Sequence, residues 1–325
     1  MSSRTANLLL LLAGAIWGLG FIAQRTAMED LDPIYFIACR FLLGALAIAP
    51  FAFREWIRGK PKLPFESLYR FVLLGAVFFL GMALQQWGLQ FTTVTNAGFL
   101  TTTYVILVPI IALACFRIVP PWFIWPTSIC TILGVYLLGQ GSINAFATGD
   151  LFILAGAAVW AVHVILVSRF AQQYSAPLTM SCVQFFTCSC IAFCAQAIFG
   201  EQSVSDVQLL IPALPEIIYT GVFSGGLAFT LQAIGQRYTR PSIAAILMSS
   251  ESLFAAVLGA TLLGERLHSV GYAGCILIVL SIVLVEWLQG REQESELPRN
   301  TPSTKNTNLG ESAISDTANE QATSA

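Results

Sequence analysis

Charge is what this 325-residue chain has least of: 10% of its residues are Asp, Glu, Lys or Arg, against 56% hydrophobic ones, and it holds two histidines. No basic patch occurs that could follow a phosphate backbone, so nucleic acid is not an expected partner. No Gly-x-x-x-x-Gly-Lys-Ser/Thr run is present, and the loops are too short for an ATPase domain, which excludes direct use of nucleotide hydrolysis by this chain. His163 and His268 stand 105 residues apart, no His-Glu-x-x-His occurs, and no aspartate falls in the middle of an apolar stretch. An enzyme working inside a bilayer needs a paired nucleophile and base or a metal set, and these absences argue against one. Cysteine is not scarce, but its placement is informative. All eight thiols (Cys39, Cys115, Cys130, Cys182, Cys188, Cys190, Cys194 and Cys275) fall within apolar stretches. They read as buried small hydrophobes rather than a disulfide framework. Cys188, Cys190 and Cys194 share one stretch without a nearby histidine or further acidic ligand, so neither a metal nor a cofactor is expected.

What fills the chain is hydrocarbon. Mean hydropathy is +0.73, and ten stretches of about twenty residues each match the length an α-helix needs to cross a bilayer core of about 30 Å. They run approximately over 6–24, 33–53, 69–90, 96–116, 122–140, 151–168, 177–199, 213–235, 242–263 and 270–288. In lipid no water satisfies the backbone, so these segments must be helices. The fold class expected is an all-α polytopic membrane protein of ten transmembrane helices. The first stretch continues apolar to Ala23, too long for a secretory leader, and reads as a retained helix. Asp32-Pro33, Pro120-Pro121, Ala176-Pro177 and Arg240-Pro241 close loops. Beyond Gly290 the composition turns to Glu, Ser, Thr, Asn and Gln, a stretch unable to bury a core and expected to be disordered.

Lysine and arginine set the orientation. With the N-terminus inside, the inner side collects Arg4, Arg54, Arg58, Lys60, Lys62, Arg70, Arg117, Arg169, Arg237, Arg240, Arg291, Arg299 and Lys305. The outer side holds Arg25 and Arg266, and Arg40 lies within a span. This asymmetry predicts a multi-pass protein of the plasma (inner) membrane with both termini cytoplasmic.

The chain also repeats itself. An offset of 147 pairs Leu84-Gln85 with Leu231-Gln232, Gly88 with Gly235, Thr92 with Thr239, Ala97 with Ala244 and Leu100 with Leu247. Near the starts of the two halves, Trp17 aligns with Trp160. Five spans per half is odd, so the second half enters the membrane from the opposite side. The expectation is a 5+5 inverted repeat, residues 1–141 and 149–289, followed by a cytoplasmic tail over 290–325. Many secondary transporters have this architecture, with the site near the midplane between the halves.

These features resemble the EamA-like branch of the drug/metabolite transporter superfamily, over roughly residues 7–288. The resemblance is carried by Ser250-Glu251-Ser252-Leu253-Phe254-Ala255-Ala256-Val257-Leu258-Gly259, then Leu262-Leu263-Gly264-Glu265-Arg266 and Gly271-Tyr272-Ala273-Gly274. Trp17-Gly18 and Arg40-Phe41 add weaker support. Two positions depart from the family's pattern: Ser252 stands where a proline is usual, and Cys115-Phe116-Arg117 ends the first half where Gly-Glu is expected. The resemblance implies a ten-helix carrier, with export the frequent direction.

Several side chains within the spans are candidates for substrate binding or proton coupling. Glu251 falls near the bilayer centre, where an ionised carboxylate costs about 3 kcal/mol or more, so it must be protonated, paired or wet. It reads equally as a proton-coupling or amine site and as a hydrogen-bonded packing group. Arg40 could fork onto a substrate carboxylate, snorkel to the outer interface or cap carbonyls. His163 could relay protons or simply be hydrogen-bonded. Gln85, Gln86, Gln184 and Gln232 place amides within spans, either to orient a neutral or zwitterionic solute or to join helices. Gln85 and Gln232 are repeat partners expected to face each other. Trp17, Trp87, Trp160 and Tyr104 could supply flat apolar wall, while Trp122, Trp125 and Trp287 suit interfacial anchors. Gly14-xxx-Gly18, Gly221-xxx-Gly225 and Ala255-xxx-Gly259 permit close helix approach. Pro109 should kink span four and free a carbonyl near Val105.

The leading expectation is a secondary carrier of small metabolites or drugs, with amino acids preferred because Arg40 and Glu251 offer one charge of each sign. Its partners are a small-molecule substrate, the lipid bilayer and protons as a coupling ion. Spans five and ten are expected to be peripheral braces. The alternative is a non-transporting membrane scaffold or sensor. Nothing in the sequence marks an oligomeric state.

Overall fold

A computed structural model describes residues 1–59, 62–139, 148–200, 202, 207–262 and 269–296. Among these the chain is helical, with no strand. Nine segments are long and apolar enough to cross a membrane: α1 (Ser3–Ala27), α2 (Pro33–Arg58), α3 (Phe65–Gln90), α4 (Asn96–Phe116), α6 (Thr148–Tyr174), α7 (Pro177–Phe199), α8 (Leu214–Gln236), α9 (Pro241–Leu258) and α10 (Ser269–Glu292). Between α4 and α6 lies a shorter apolar helix, α5 (Ile124–Leu138). The starts are legible in local chemistry. Proline occupies the first turn of α2, α7 and α9, where its missing N–H leaves nothing unpaired. Thr93 caps the helix leading into α4 by accepting from the Asn96 amide. Arg117 ends α4 in the left-handed conformation (φ 55°), a position glycine usually takes. The final helix runs to Glu296, past the change in composition at Gly290. The rest of the expected tail, and the Gly264-Glu265-Arg266 run, lie outside the described residues.

The outside of the bundle is apolar. Phe51, Phe53, Trp56, Ile276, Leu280, Val283 and Trp287 are all exposed, which suits a hydrocarbon solvent rather than water. The cysteines correct an expectation here. Cys188 is buried, but Cys115, Cys130, Cys190 and Cys194 lie on outward helix faces. Hydrophobic character alone does not separate a core position from a lipid-facing one.

Helices from the two halves of the chain pair closely. α2 lies along α7, and each end of the pair is fastened. Near the end of the bundle where α1 starts and α10 finishes, Glu55 accepts from the Thr179 amide (2.6 Å) and hydroxyl (2.7 Å) at the start of α7. At the far end, Asp32 accepts from Gln196 (2.8 Å) and from the Gln202 amide (3.0 Å). α3 lies along α6 in the same manner, with Arg70 donating to Gln173 (2.8 Å) at one end and Thr92 to Asp150 (2.5 Å) at the other. α5 packs on α10 through Gly134 and Gly274, where backbones approach too closely for a side chain between them.

Four of the long segments are not regular helices. α1 breaks between Trp17 and Gly20, and α4 at Thr103. α8 carries a π-helical stretch over Tyr219–Ala228, and α9 turns at Ser249. Pro109 sits six residues beyond the α4 break, and the Val105 carbonyl it frees accepts from Ser128 of α5 (3.4 Å). Gly14 and Gly18 let α1 lie directly on the turn of α9: a methyl at Gly18 would come within 2.9 Å of the Ala255 nitrogen.

Candidate functional site

The four irregular points surround one cavity. Together with its open mouth it holds about 630 Å³ of empty space. Its wall takes residues from each break: Trp17 and Gly20 in α1, Thr101 and Tyr104 in α4, Thr220 and Ser224 in α8, and Met248 and Glu251 in α9. α2 adds Arg40 and Phe41, α3 adds Met82 and Gln85, and α6 adds Trp160 and Val164. α7 contributes no lining residue and backs α2 instead, with Phe185 stacked on Phe41 (5.7 Å). α5 and α10 stay peripheral to the cavity.

Breaking a helix frees carbonyls that must find donors elsewhere. The irregular points of α1 and α8 supply each other. Tyr219 Oη donates to the Ile16 carbonyl (2.5 Å), and Trp17 Nε1 donates to the Ser224 carbonyl (3.0 Å). Trp17 is thereby held against Phe229, with ring centroids 4.6 Å apart, and Phe229 stacks on Trp160 at 6.0 Å and 18°. Below this wall Phe78, fully buried, meets Phe41, Phe185, Phe229, Trp160 and His163 with centroids 4.8 to 5.6 Å apart. Of this cluster Phe41, Trp160 and Phe229 form the cavity's floor, and Phe78, Phe185 and His163 back them.

Chain direction places the cavity's mouth toward the far end of the bundle, while Val164, Phe229 and Gln232, late in helices that start at that end, carry its inner part past the middle. Arg40 and Thr101 come early in helices that start at the far end, and Gln24 and Gln85 come late in helices that start at the near end. The near half is closed by side-chain hydrogen bonds. Asn7 donates to Gln289 (2.8 Å) and accepts from Thr239 (2.9 Å). Ser168 reaches the carbonyls of Gln236 (3.2 Å) and Thr239 (3.3 Å), and Gln236 donates to the Val164 carbonyl (3.1 Å).

Of the residues singled out in the sequence, Glu251, Arg40, Gln85, Gln232, Trp17, Trp160 and Tyr104 line this cavity. His163, Gln184 and Gln86 are buried but do not line it. His163 Nε2 lies 3.1 Å from Gln184 Oε1, so those two hold each other behind the floor. Trp87 faces outward. Arg40 does not snorkel; it is 2% exposed. Sequence reasoning missed Gln24, Thr101, Ser224 and Phe229. The signal available for two of them was the internal offset. Met82 and Phe229, Gln85 and Gln232, Thr101 and Met248, and Tyr104 and Glu251 are all 147 positions apart and all line the cavity.

Several polar atoms of the wall have no partner among the described residues: Arg40 Nε and Trp160 Nε1 as donors, Gln232 Oε1 and Gln24 Oε1 as acceptors. A buried polar atom left unpaired costs about 1–3 kcal/mol. A solute with its own donors and acceptors can satisfy these groups.

A multi-helix bundle with an apolar exterior, broken helices and a cavity lined by aromatics and amides defines a membrane transporter in outline. Two stretches, residues 4–140 and 147–287, match the EamA-like transporter family, and the chain belongs to that family. An uncharacterized transporter of Archaeoglobus fulgidus is 29% identical over 280 residues, covering 86% of this chain and 85% of its own. A WAT1-related protein of Arabidopsis thaliana is 24% identical over 312 residues, covering 85% and 79% respectively. A solved structure, described as the crystal structure of a protein, superposes with a TM-score of 0.71 over 90% of this chain and 99% of that one. At 18% identity it speaks to the fold alone.

Proposed function

We propose that this chain is a secondary carrier that exports small metabolites or drugs across the plasma membrane by alternating access, with amino acids the preferred class and protons the coupling ion. The observation that carries the reading is the convergence of four helix irregularities on one cavity. Broken helices are costly in lipid and are tolerated where the freed backbone lines a binding site or is met by other protein groups. The lining pairs 147 residues apart support an inverted repeat with its site on the pseudo-twofold axis, formed by repeats at 1–141 and 149–289. The lysine and arginine distribution supports cytoplasmic termini. On that orientation the cavity faces outward, and the Asn7–Thr239–Gln289 network closes the cytoplasmic side.

Exchange between outward and inward states follows from the same geometry. Fastening α2 to α7 and α3 to α6 at both ends binds the two halves together, so they do not rock apart as rigid bodies. Motion concentrates at the breaks of α1, α4, α8 and α9, where few helical hydrogen bonds have to be remade. Glu251, beside the α9 turn, is the proton-coupling group. In proteoliposomes carrying a pH gradient, the wild type moves an amino-acid substrate faster with the gradient than without it. Glu251→Gln still exchanges substrate but gains nothing from the gradient. Equal stimulation of both proteins would remove Glu251 from coupling, and no flux in the wild type would remove the carrier.

A further inference from the structure

Arg40 is a buried cation without a counter-ion. Among the described residues the ion pairs are Arg70–Glu66 and Arg240–Glu292, and no carboxylate lies within 4.0 Å of Arg40. What holds it is apolar or weak: the guanidinium carbon sits 4.8 Å from the Phe36 ring centroid and 4.6 Å from that of Phe41. One terminal nitrogen meets the Met82 sulfur at 2.9 Å, and Nε has no partner. Aromatic faces fix the plane of a guanidinium and satisfy some of its charge, but they accept few of its five N–H donors, and a thioether is a weak acceptor. Taking a charge out of water without a partner costs several kcal/mol. A helix bundle that merely needed packing here would be served better by leucine. Arg40 does line the cavity, however, so a partner can come from the solute.

We propose that Arg40 is an anion subsite, binding the carboxylate of a small acid whose apolar body lies against the Trp17–Phe229–Trp160 wall. This rests on the carrier reading and narrows it: the acid group is what the site recognises, and an amino group is dispensable. Two features select a carboxylate. Among the described residues Arg40 is the one cationic side chain of the lining, so it balances a single negative charge, and Glu251 in the same cavity opposes a second. The planar fork of a guanidinium also matches a carboxylate in two parallel hydrogen bonds. The wall, with stacked rings and two methionines, gives the remainder of the solute an apolar surface.

The test uses the purified full chain in lipid nanodiscs and four probes with one aliphatic skeleton: leucine, isocaproate, isoamylamine and isocaproamide. These are transparent where tryptophan absorbs, and Trp17 and Trp160 report on the cavity by fluorescence. Leucine and isocaproate should bind, with the amine and the amide at least about tenfold weaker, since hydrogen bonds to charged groups are the strong ones. Arg40→Gln should bring both acids down to the level of the amide, and Arg40→Lys should restore part of the difference. The inference is overturned if the amine or amide matches the acids on the wild type, if neither acid binds, or if Arg40→Gln leaves acid affinity unchanged. The wild-type selectivity decides the matter even if the variants fail to fold. Acid binding without flux in proteoliposomes would keep the subsite and remove the carrier, and flux of amines or neutral solutes without acid recognition would do the reverse.

Discussion

The hydroxyls of Thr102 and Ser252 lie 3.3 Å apart, one just before the break in α4 and the other just after the turn in α9. Tyr104 and Glu251, which both line the cavity, flank this contact. The bond joins two irregular helices from opposite halves of the chain at the level where the account places the moving parts. Replacing both hydroxyls, as Thr102→Val with Ser252→Ala, should cost less than about 1 kcal/mol of stability, in line with other interhelical bonds in membranes. Transport should change severalfold despite that small loss. Thermal unfolding beside substrate counterflow in proteoliposomes reads both quantities. Proportionate losses would reduce the contact to simple packing.

The closed end of the bundle makes a separate prediction. Asn7→Leu leaves Thr239 and Gln289 without their shared partner and should weaken that end by about 1 kcal/mol, or about a fivefold larger open fraction. Amide hydrogen exchange should then speed up in the last turns of α6 and α8 and hold steady at the far end. Uniform acceleration would signal general destabilisation instead.

Glycines separate crowded from open positions. A methyl on Gly274 would sit 2.5 Å from the Leu138 nitrogen, so Gly274→Ala must push α5 from α10 and should destabilise by about 1–3 kcal/mol. A methyl on Gly98 would meet nothing within 4 Å, and Gly98→Ala should be neutral or stabilise by up to about 1 kcal/mol. Thermal denaturation of the two variants in detergent gives the comparison directly.

Much of this molecule can be read from its residues, and the limits are physical. Hydropathy locates the membrane-crossing segments because lipid forces each to be both apolar and long. It is silent on where a helix breaks: Trp17-Gly18-Leu19-Gly20 and Thr102-Thr103 carry no proline, and the Ile16 carbonyl at the first break is met by the distant Tyr219 of α8. Helix orientation about its own axis is likewise set by packing. Cys188 and Cys190, two residues apart, therefore differ in environment, one buried and the other on the outward face, and Gln86 leaves the cavity that its neighbour Gln85 lines. Charge in a span was the better guide, since Arg40 and Glu251 both reach the cavity.

The clamp at the near end of α2 predicts a loss that spares function. Glu55→Ala removes the acceptor for the Thr179 amide and hydroxyl at the start of α7 and should cost about 1–2 kcal/mol, as loss of a helix cap does. Because Glu55 is remote from the cavity, counterflow per folded molecule should stay near the wild-type value. A selective loss of transport with unchanged stability would place this clamp in the moving part.

The central claim is that solute passes through the cavity, and Gly20 offers the most direct test of it. Gly20 lines the cavity, and the atoms nearest an added side chain, Ser224 Oγ at 3.5 Å and Gln24 Nε2 at 3.6 Å, leave room for it to grow into the empty space. The measurement is the extracellular metabolite profile of cells overproducing the wild type or Gly20→Phe at equal membrane abundance. At least one small metabolite should be enriched outside by the wild type and returned to the background level by Gly20→Phe. Equal enrichment by both proteins, or none by the wild type, would contradict it.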